Sequence, residues 1–506
     1  MKKVPVSSTL HKAQKISSKI CLFFVAHAKT ILYSSGLGQA LFKQGATLDL
    51  YDHQVVTVNE CRDLIRQGCK SILIRGATGS GKTILTAFML KGAAKKNWPS
   101  LFNVHRRELI KQSSRSFEEV GVEHGIIAAG WKWDKQPLTQ IAGIQTLSRR
   151  IDDIETIPRL IIWDECHHLG AKSWAAIYNR FPDAIHIGLT ATPWRLDGKG
   201  LGRFFQKMIK GPSERWLIDN GYLSPYRLYA PKSINVEGVR KSMGDYVHSE
   251  LEAICDKPAI VGDAVREYRK WACGKRAIVF TVSIKASLHM AEAFNAAGFR
   301  ARHIDGDTPT DVRDETMQTF SDGGLDVLCS VDLHGEGVDV PALECVINAR
   351  PTCSFSLARQ QWGRSLRKFP GKKEAIIIDM AGFCREFGLP DDEIEWSLED
   401  RPKKQKNSDG PAIRICPQCF AAQRPGRSAC QYCDAVFPVQ HREVEEIDGD
   451  LEEVDREALR RSKKREEARA QSYDDLLKIE KARGYRHGWA WHRFNARQMK
   501  RKGAAG

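Results

Sequence analysis

Between Leu48 and Arg215, short runs of consecutive apolar residues alternate with amphipathic stretches. Ser71–Arg75, Leu101–Val104, Ile141–Ile144, Leu160–Trp163 and Ala184–Leu189 each read as a strand buried on both faces. Most are followed by a loop and then by helical periodicity, which predicts a parallel α/β sheet. A polar stretch near 232–256 interrupts the pattern, which then restarts. Ala277–Thr281, Ala301–Ile304, Val327–Val331, Cys345–Asn348 and Ala375–Ile378 are the strands of this second half. The fold class is α/β, with two tandem parallel-sheet domains. A Pro- and Lys-rich break over 402–411 is a linker, a cysteine-rich segment follows it, and the chain ends in a charged helical tail. The expected divisions are 1–47, 48–225, 226–400, 401–411, 412–437 and 438–506.

Charge changes this picture by its location. The 506 residues carry a net charge of +16. Residues 1–48 hold seven lysines and no acid, and residues 460–506 hold fifteen bases against five acids, so the 411 residues between sum to −1. Basic ends on a neutral body point to a polyanion such as nucleic acid or an anionic membrane, with any track through the middle local. The longest apolar run, Ile20–Ala26, is far short of the ~18 residues that a membrane span needs, so no membrane is expected. The first 47 residues read as a flexible basic extension or a misplaced start. A targeting signal is the competing reading, against which stand a long charged region, a short apolar patch and the absence of arginine. Ten of the fourteen cysteines are scattered singly, which fits a reducing, cytoplasmic location with one metal site at the remaining four.

Gly76-Ala77-Thr78-Gly79-Ser80-Gly81-Lys82-Thr83 satisfies G-x-x-x-x-G-K-[ST] between a predicted strand and a predicted helix. Its glycines let backbone amides converge on phosphate oxygens beside the positive end of the following helix. Lys82 faces the β/γ-phosphates of ATP, and the Thr83 hydroxyl ligates Mg²⁺. Leu160–Trp163 runs into Asp164-Glu165-Cys166-His167, so paired carboxylates fall at the carboxyl edge of the sheet, beside the phosphate loop. Asp164 is the expected Mg²⁺ ligand, and Glu165 the group that orients and deprotonates the attacking water.

The loop and the Asp-Glu-Cys-His turn together resemble the DEAD/DEAH-type helicases of superfamily two, and further motifs follow in order. These are Gln54, His105-Arg106-Arg107-Glu108-Leu109, Gln145-Thr146-Leu147, Thr190-Ala191-Thr192, Ile278-Val279-Phe280, Glu336-Gly337-Val338-Asp339-Val340-Pro341 and Gln360 to Arg367. The resemblance covers roughly residues 47–385 and implies two RecA-like motor domains. It also implies that Gln54 reads adenine and that Gly337 and Asp339 sit at the nucleotide cleft, Asp339 near the ribose. Tyr51 departs from the family, which usually has arginine there. Gln360, Arg364 and Arg367 have the spacing of one face of a predicted helix. Arg364 and Arg367 would reach the γ-phosphoryl group from the second domain when ATP draws the halves together. Gly306-Asp307-Thr308-Pro309, Arg350-Pro351-Thr352 with Ser354, and Gly371-Lys372-Lys373 resemble RadD-like DNA-repair helicases and related phage and prophage helicases.

Cys416-x-x-Cys419 and Cys430-x-x-Cys433 form a four-thiolate signature for a structural Zn²⁺. A redox site needs one such pair at a helix start, not two. Arg424 and Arg427 lie between the pairs with no acid, so the ribbon either touches phosphates or is purely structural. In the tail, Ser472 and Asp475 make a capping box and Gly484 a stop. Tyr485, Trp489, Trp491 and Phe494 interleave with arginines, a pattern that suits stacking on a single strand and equally the core of a helical hairpin. The leading reading is an ATP-dependent helicase or translocase, on DNA rather than RNA, in repair, recombination or replication. The Asp-Glu-Cys-His and Thr-Ala-Thr variants differ from those of typical RNA-unwinding enzymes. The alternatives are an RNA helicase, the motor part of a restriction nuclease, for which Pro390-Asp391 is the nearest motif, and a zinc-ribbon binding protein with a decayed motor. Oligomeric state is not legible.

Overall fold

The structure, a computed structural model, describes residues 49–195, 198–231, 233–242, 244–331, 342–401, 412–437, 456–485 and 488–503. The N-terminal extension, the stretch 402–411 and the motif at 336–341, with Gly337 and Asp339, lie outside the described residues. The chain divides into two compact units, split at Phe437 and Pro438.

The first half runs α1 (Asp52–Arg66), β1 (Ser71–Arg75), α2 (Lys82–Ala94), β2 (Ser100–Val104), α3 (Arg107–Val120), β3 (His124–Ile127), β4 (Thr139–Gly143), α4 (Ile144–Arg149), β5 (Leu160–Trp163), α5 (Lys172–Arg180), β6 (Ile185–Thr190) and β7 (Lys207–Lys210). The connector carries α6 (Glu214–Asp219). The second half runs β8 (Tyr226–Tyr229), a short hairpin of β9 (Lys241–Ser242) and β10 (Asp245–Tyr246), α7 (His248–Cys255), α8 (Pro258–Trp271), β11 (Ala277–Phe280), α9 (Ile284–Ala296), β12 (Ala301–Ile304), α10 (Thr310–Ser321), β13 (Val327–Ser330), β14 (Cys345–Asn348), α11 (Phe355–Ser365), β15 (Ala375–Asp379) and α12 (Phe383–Phe387).

The seven-stranded first sheet has the order β3-β4-β2-β5-β6-β1-β7 and the six-stranded second sheet β12-β13-β11-β14-β15-β8. Every pairing in both is parallel. The central strands β1, β2, β4, β5, β11, β13, β14 and β15 are buried at every position, as a sheet covered on both faces requires. Serine side chains cap three helices of this unit: Ser213 at α6, Ser283 at α9 and Ser354 at α11, each accepting from a backbone amide 3.2 Å away. Because β1, β5 and β6 are parallel and adjacent in the order β5-β6-β1, the loops after Arg75, Trp163 and Thr190 emerge at one edge. That edge is where the ligand of an open α/β sheet binds.

His186, on β6, is buried between these layers. Trp163 Nε1 donates to its Nδ1 at 3.1 Å, and its Nε2 lies 2.9 Å from the Phe181 carbonyl, so a neutral ring with the proton on Nε2 satisfies both nitrogens. Burial pushes its pKa down to about 4, with the bond to Phe181 opposing. The unfolded chain therefore binds more protons between about 6.5 and 4, and stability contributed by the neutral ring is complete above 6.5 and lost as pH falls through 4. At ~1.4 kcal/mol per unit this contributes on the order of 3 kcal/mol. His186→Gln is expected to flatten the acid limb of a melting-temperature profile in that window. An unchanged slope would mean that His186 is not a source of the acid sensitivity.

A cysteine ribbon with β16 (Arg414–Ile415) and β17 (Ala422–Gln423) completes the first unit. It continues the exposed edge of the second sheet: Ala230 N donates to Phe420 O at 2.8 Å, and Tyr229 bridges Ala421 antiparallel. Cys416, Cys419, Cys430 and Phe437 share a core with Tyr229 and the second sheet.

The described residues of the second unit form three helices, α13 (Arg456–Arg469), α14 (Tyr473–Ala482) and α15 (Trp489–Gly503). The expected capping box starts α14: Ser472 Oγ accepts from Asp475 N at 3.1 Å, and Asp475 accepts from Ser472 N at 3.0 Å. Glu480 caps α15 by accepting from Ala490 N at 2.7 Å. Leu476, Ile479, Ala490, Tyr485, Trp489 and Phe494 form a small core, whereas Trp491 is exposed. Three of the four aromatic rings are thus spent on the hairpin, and one is left to solvent.

Candidate functional site

The phosphate loop joins β1 to α2, and Gly79 and Gly81 have φ of 83° and 80°. At Gly81 the positive φ disfavours any side chain, and a Cβ would lie 2.5 Å from Gln54 Nε2 and displace it. Gln54 uses that closeness: its Nε2 donates to Ser80 O at 3.0 Å and Gly81 O at 3.3 Å, while its Oε1 accepts from Tyr51 N. Lys82 Nζ donates to Gly76 O at 3.2 Å and Ala77 O at 3.4 Å. Its ammonium therefore lies over the loop, with Thr83 next to it in the first turn of α2.

Asp164 and Glu165 follow β5 directly. Glu165 has φ 46° and ψ 51°, a left-handed conformation that costs a non-glycine residue on the order of 1–3 kcal/mol and turns the chain sharply at the sheet edge. Burial, and then the charge of Glu165, push the Asp164 carboxyl well above the usual carboxylate range, with Lys82 opposing. Lys82 and His105 offset that only in part, and His167 Nδ1 lies 3.4 Å from Glu165 Oε2. Two adjacent carboxylates beside a phosphate loop and the Thr83 hydroxyl make a donor set that fits Mg²⁺.

From the acidic turn a chain of short polar contacts leads to the second domain. Glu165 Oε2 accepts from Thr190 Oγ1 at 3.4 Å, and His167 Nδ1 lies 3.2 Å from that hydroxyl. Thr192 N donates to Thr190 Oγ1 at 3.1 Å, and the Thr192 hydroxyl meets that of Ser356 in the first turn of α11. The Thr-Ala-Thr motif thus bridges Glu165 and the helix that bears the expected arginines.

That helix lies against the phosphate loop. A Cβ on Gly363 would come within 2.4 Å of Thr78 Cβ, and one on Gly79 would meet Leu223 Cδ2 and Arg367 Cγ at 3.1 and 3.2 Å. Trp362 and Gln361 anchor α11 to Asn348 at the end of β14. Gln360 and Arg364 are buried, and Gln360 Nε2 has no hydrogen-bond acceptor among the described residues. The one-face expectation needs a correction at Arg367, which lies beyond the helix. The chain leaves α11 after Ser365 because Ser224 N takes the Leu366 carbonyl at 2.7 Å and Leu223 bridges Arg367. Lys372 then donates to the carbonyls of Leu343, Ser365 and Arg367.

Beside Gln54 stands a group of rings that motif reading missed. Tyr51 and Tyr222 meet edge to face at 5.0 Å, Trp216 stacks on Tyr222 at 5.7 Å, and His53 touches both. Tyr51 and Trp216 are the exposed large aromatic side chains among the described residues of the first unit. Trp216 and Tyr222 come from the connector, whose length and lack of motif gave no signal. On the far side of the cleft, Glu108 pairs with Arg313 at 2.5 Å and Lys111 with Asp314 at 2.9 Å. Arg313 also binds the carbonyls of Asp305, Gly306 and Thr308. Arg313 therefore joins the motif at 105–109 to the Gly306–Thr308 turn.

In the ribbon, the four Sγ atoms lie within 4.8 Å of one another, with Cys416–Cys433 and Cys419–Cys430 at 3.6 Å. Tetrahedral zinc with Zn–S of about 2.3 Å puts its sulfurs ~3.8 Å apart, whereas a disulfide is ~2.05 Å long. Both knuckles have one design: Phe420 and Asp434, each following a pair's second cysteine, take left-handed φ of 58° and 57° and donate back to Cys416 O and Cys430 O. The donor set fits Zn²⁺. Arg424 is tied to Asp391 and Asp392 at 3.1 and 2.8 Å. Asp391, with a side chain 1% exposed, also accepts from Tyr226 and pairs with Arg215. A carboxylate so enclosed is no nuclease ligand.

The family model described as "Type III restriction enzyme, res subunit" matches residues 47–195, and "Helicase conserved C-terminal domain" matches 257–368. A "51.5 kDa protein" of a Lactococcus phage is 35% identical over 77% of this chain and 83% of its own length. A Saccharomyces cerevisiae protein named as an ATP-dependent helicase, IRC3, is 28% identical over 69% of this chain, which spans about half (55%) of that protein. Among solved structures, a fragment named as an HsdR subunit of a type I restriction enzyme from Vibrio vulnificus shares the fold at TM-score 0.55 and 24% identity, over 67% of this chain and 65% of that one.

Proposed function

The chain belongs to the superfamily-two DEAD/DEAH-type helicases and is an ATP-dependent helicase enzyme, and from that premise we propose that its track is DNA and that the residues just described divide the labour of hydrolysis. The observation that carries the division is the seating of Gly363 on Thr78, which sets the arginine helix of one domain on the phosphate loop of the other. Lys82 and the loop amides hold the β/γ-phosphates, Thr83 and Asp164 hold Mg²⁺, and Glu165 takes the proton of the attacking water. Mg²⁺ supplies charge neutralisation at the phosphates. Arg364 and Arg367 complete the charge balance from the second domain. Tyr51, Tyr222 and Trp216 offer flat apolar faces to the base. The cysteine ribbon holds a structural Zn²⁺ that keeps the edge of β8 covered.

DNA is favoured because the first half matches the motor of a restriction enzyme, a class that acts on DNA, and because its Asp-Glu-Cys-His and Thr-Ala-Thr motifs depart from those of RNA-unwinding enzymes. Among the described residues no helix is long and apolar enough to cross a membrane. One assay tests the reading: ATPase rate against single-stranded DNA, duplex, forked DNA and RNA. Stimulation by DNA above that by RNA is expected, and the reverse order overturns the DNA assignment. In the same assay Trp216→Ala should raise the KM for ATP while saturating turnover holds. An unmoved KM removes Trp216 from the base site.

A further inference from the structure

Two guanidinium groups lie in the interior of the first unit outside every motif. Arg75 ends β1, immediately before the phosphate loop, and is 2% exposed. Its Nη2 grips Glu214 at 2.6 and 2.8 Å, its Nε and Nη1 donate to Ala191 O and Pro212 O, and Trp396 lies 5.1 Å away. Arg359 is on α11, five residues before Arg364, and is 5% exposed. It touches no carboxylate among the described residues. Instead Nη1 donates to Pro390 O, and Nη2 donates to Asp392 O at 3.0 Å. Burial works to strip Arg359 of its charge, and Glu214, Asp392 and Asp391 work to keep it. Burial would likewise raise the Glu214 carboxyl, but Arg75 and then Arg359 outweigh it and hold it below the usual range.

The loop that supplies those carbonyls is itself held from the ribbon. Asp391 and Asp392 accept from Arg424 Nη2, and Asp391 is also gripped by Arg215 from the connector. Arg424 can act as a fixed point because the ribbon is stitched to β8 by backbone pairing at Phe420 and Ala421. Four cations (Arg75, Arg215, Arg359, Arg424) and three anions (Glu214, Asp391, Asp392) thus form one connected cluster. It touches the strand before the phosphate loop, the connector, the arginine helix and the ribbon. Arg424 and Arg215 are both partly exposed and share the buried Asp391, so removing Arg424 loosens the loop while Arg215 still pairs that carboxylate.

We propose that Arg424 is a positioning residue for ATP hydrolysis: by holding Asp391 and Asp392 it fixes the carbonyls that seat Arg359, and so the placement of Arg364 on the same helix. The proposal rests on the reading of Arg364 as the arginine that completes the ATP site. It gives the ribbon a role in turnover with no contact to nucleotide or nucleic acid.

The test uses the full chain with Arg424→Gln, a substitution outside the thiolate cage. Nucleic-acid-stimulated kcat should fall about 3- to 30-fold, the range of coupling carried by packed networks, while KM for ATP, metal content and melting temperature hold. Arg424→Lys should restore part of the loss, since an ammonium can satisfy one of the two carboxylates but not both. Losses from Arg424→Gln and Arg359→Lys should fail to multiply in the double variant, because both act through one loop. Arg364→Ala is measured alongside. If it loses kcat and Arg424→Gln does not, the relay is wrong and the arginine reading stands; if neither loses kcat, both fall. A drop in melting temperature with a matching rise in KM, or losses that multiply, would make Arg424 a packing contact only and overturn the proposal.

Discussion

Glu165→Gln is expected to stop turnover while leaving ATP bound, with a loss of about 10²–10⁴ in kcat, the range of a positioned general base. The geometry makes the change selective. Glu165 sits in a left-handed turn at the end of β5, oriented by the Thr190 hydroxyl and next to His167. Glutamine keeps the shape and can still meet Thr190, but it cannot take a proton from water. It also removes a negative charge that raises the Asp164 carboxyl, so binding of the nucleotide with its metal should be undiminished. Because Thr190 and Thr192 link Glu165 to Ser356 on α11, the stalled enzyme should remain closed on its strand. ATP binding, single-turnover hydrolysis and strand release measured on this variant check each step. Wild-type hydrolysis would end the assignment of Glu165 as base.

What the sequence made legible follows from how each feature is encoded. Nine of the ten expected strands were readable because a strand covered on both faces is largely apolar; the tenth, Ala301–Ile304, lies at a sheet edge with Arg302 exposed. All ten are present, with ends within two residues of those expected. Three further strands of the two sheets were not readable, and all three lie at sheet edges. His124–Ile127, Lys207–Lys210 and Tyr226–Tyr229 are only partly covered, so polar residues interrupt their runs. The phosphate loop, the acidic turn and the four cysteines are local patterns with fixed spacing, and so the sequence shows them. The contacts of Gly363 with Thr78, of Arg75 with Glu214 and of Arg424 with Asp391 join residues far apart in the chain and have no local signature. Arg367 shows the opposite failure. Helical spacing placed it on α11, but backbone pairing with the connector ends that helix at Ser365.

Arg364→Ala should lower kcat by about 10³–10⁵, the contribution of an arginine that meets charge developing on the transferred phosphoryl group. The placement of the helix supports an effect on the transition state rather than on affinity. Ser354 caps its start, Asn348 holds Trp362 and Gln361, and the close approach of Gly363 to Thr78 fixes its distance from the phosphate loop. Arg364 is therefore presented on a rigid element, while on the proposed reading Lys82, the loop amides and Mg²⁺ would supply most of the ground-state binding. ATP affinity should change far less than kcat. Lysine should not rescue, because a single ammonium cannot reproduce the planar fork of a guanidinium. Arg367→Ala should act in the same direction but less strongly, since the backbone pairing that takes Arg367 off the helix leaves its side chain more exposed than that of Arg364. Matched losses of kcat and ATP affinity in Arg364→Ala would place this arginine in ground-state binding and leave the transition-state charge to be met by another group.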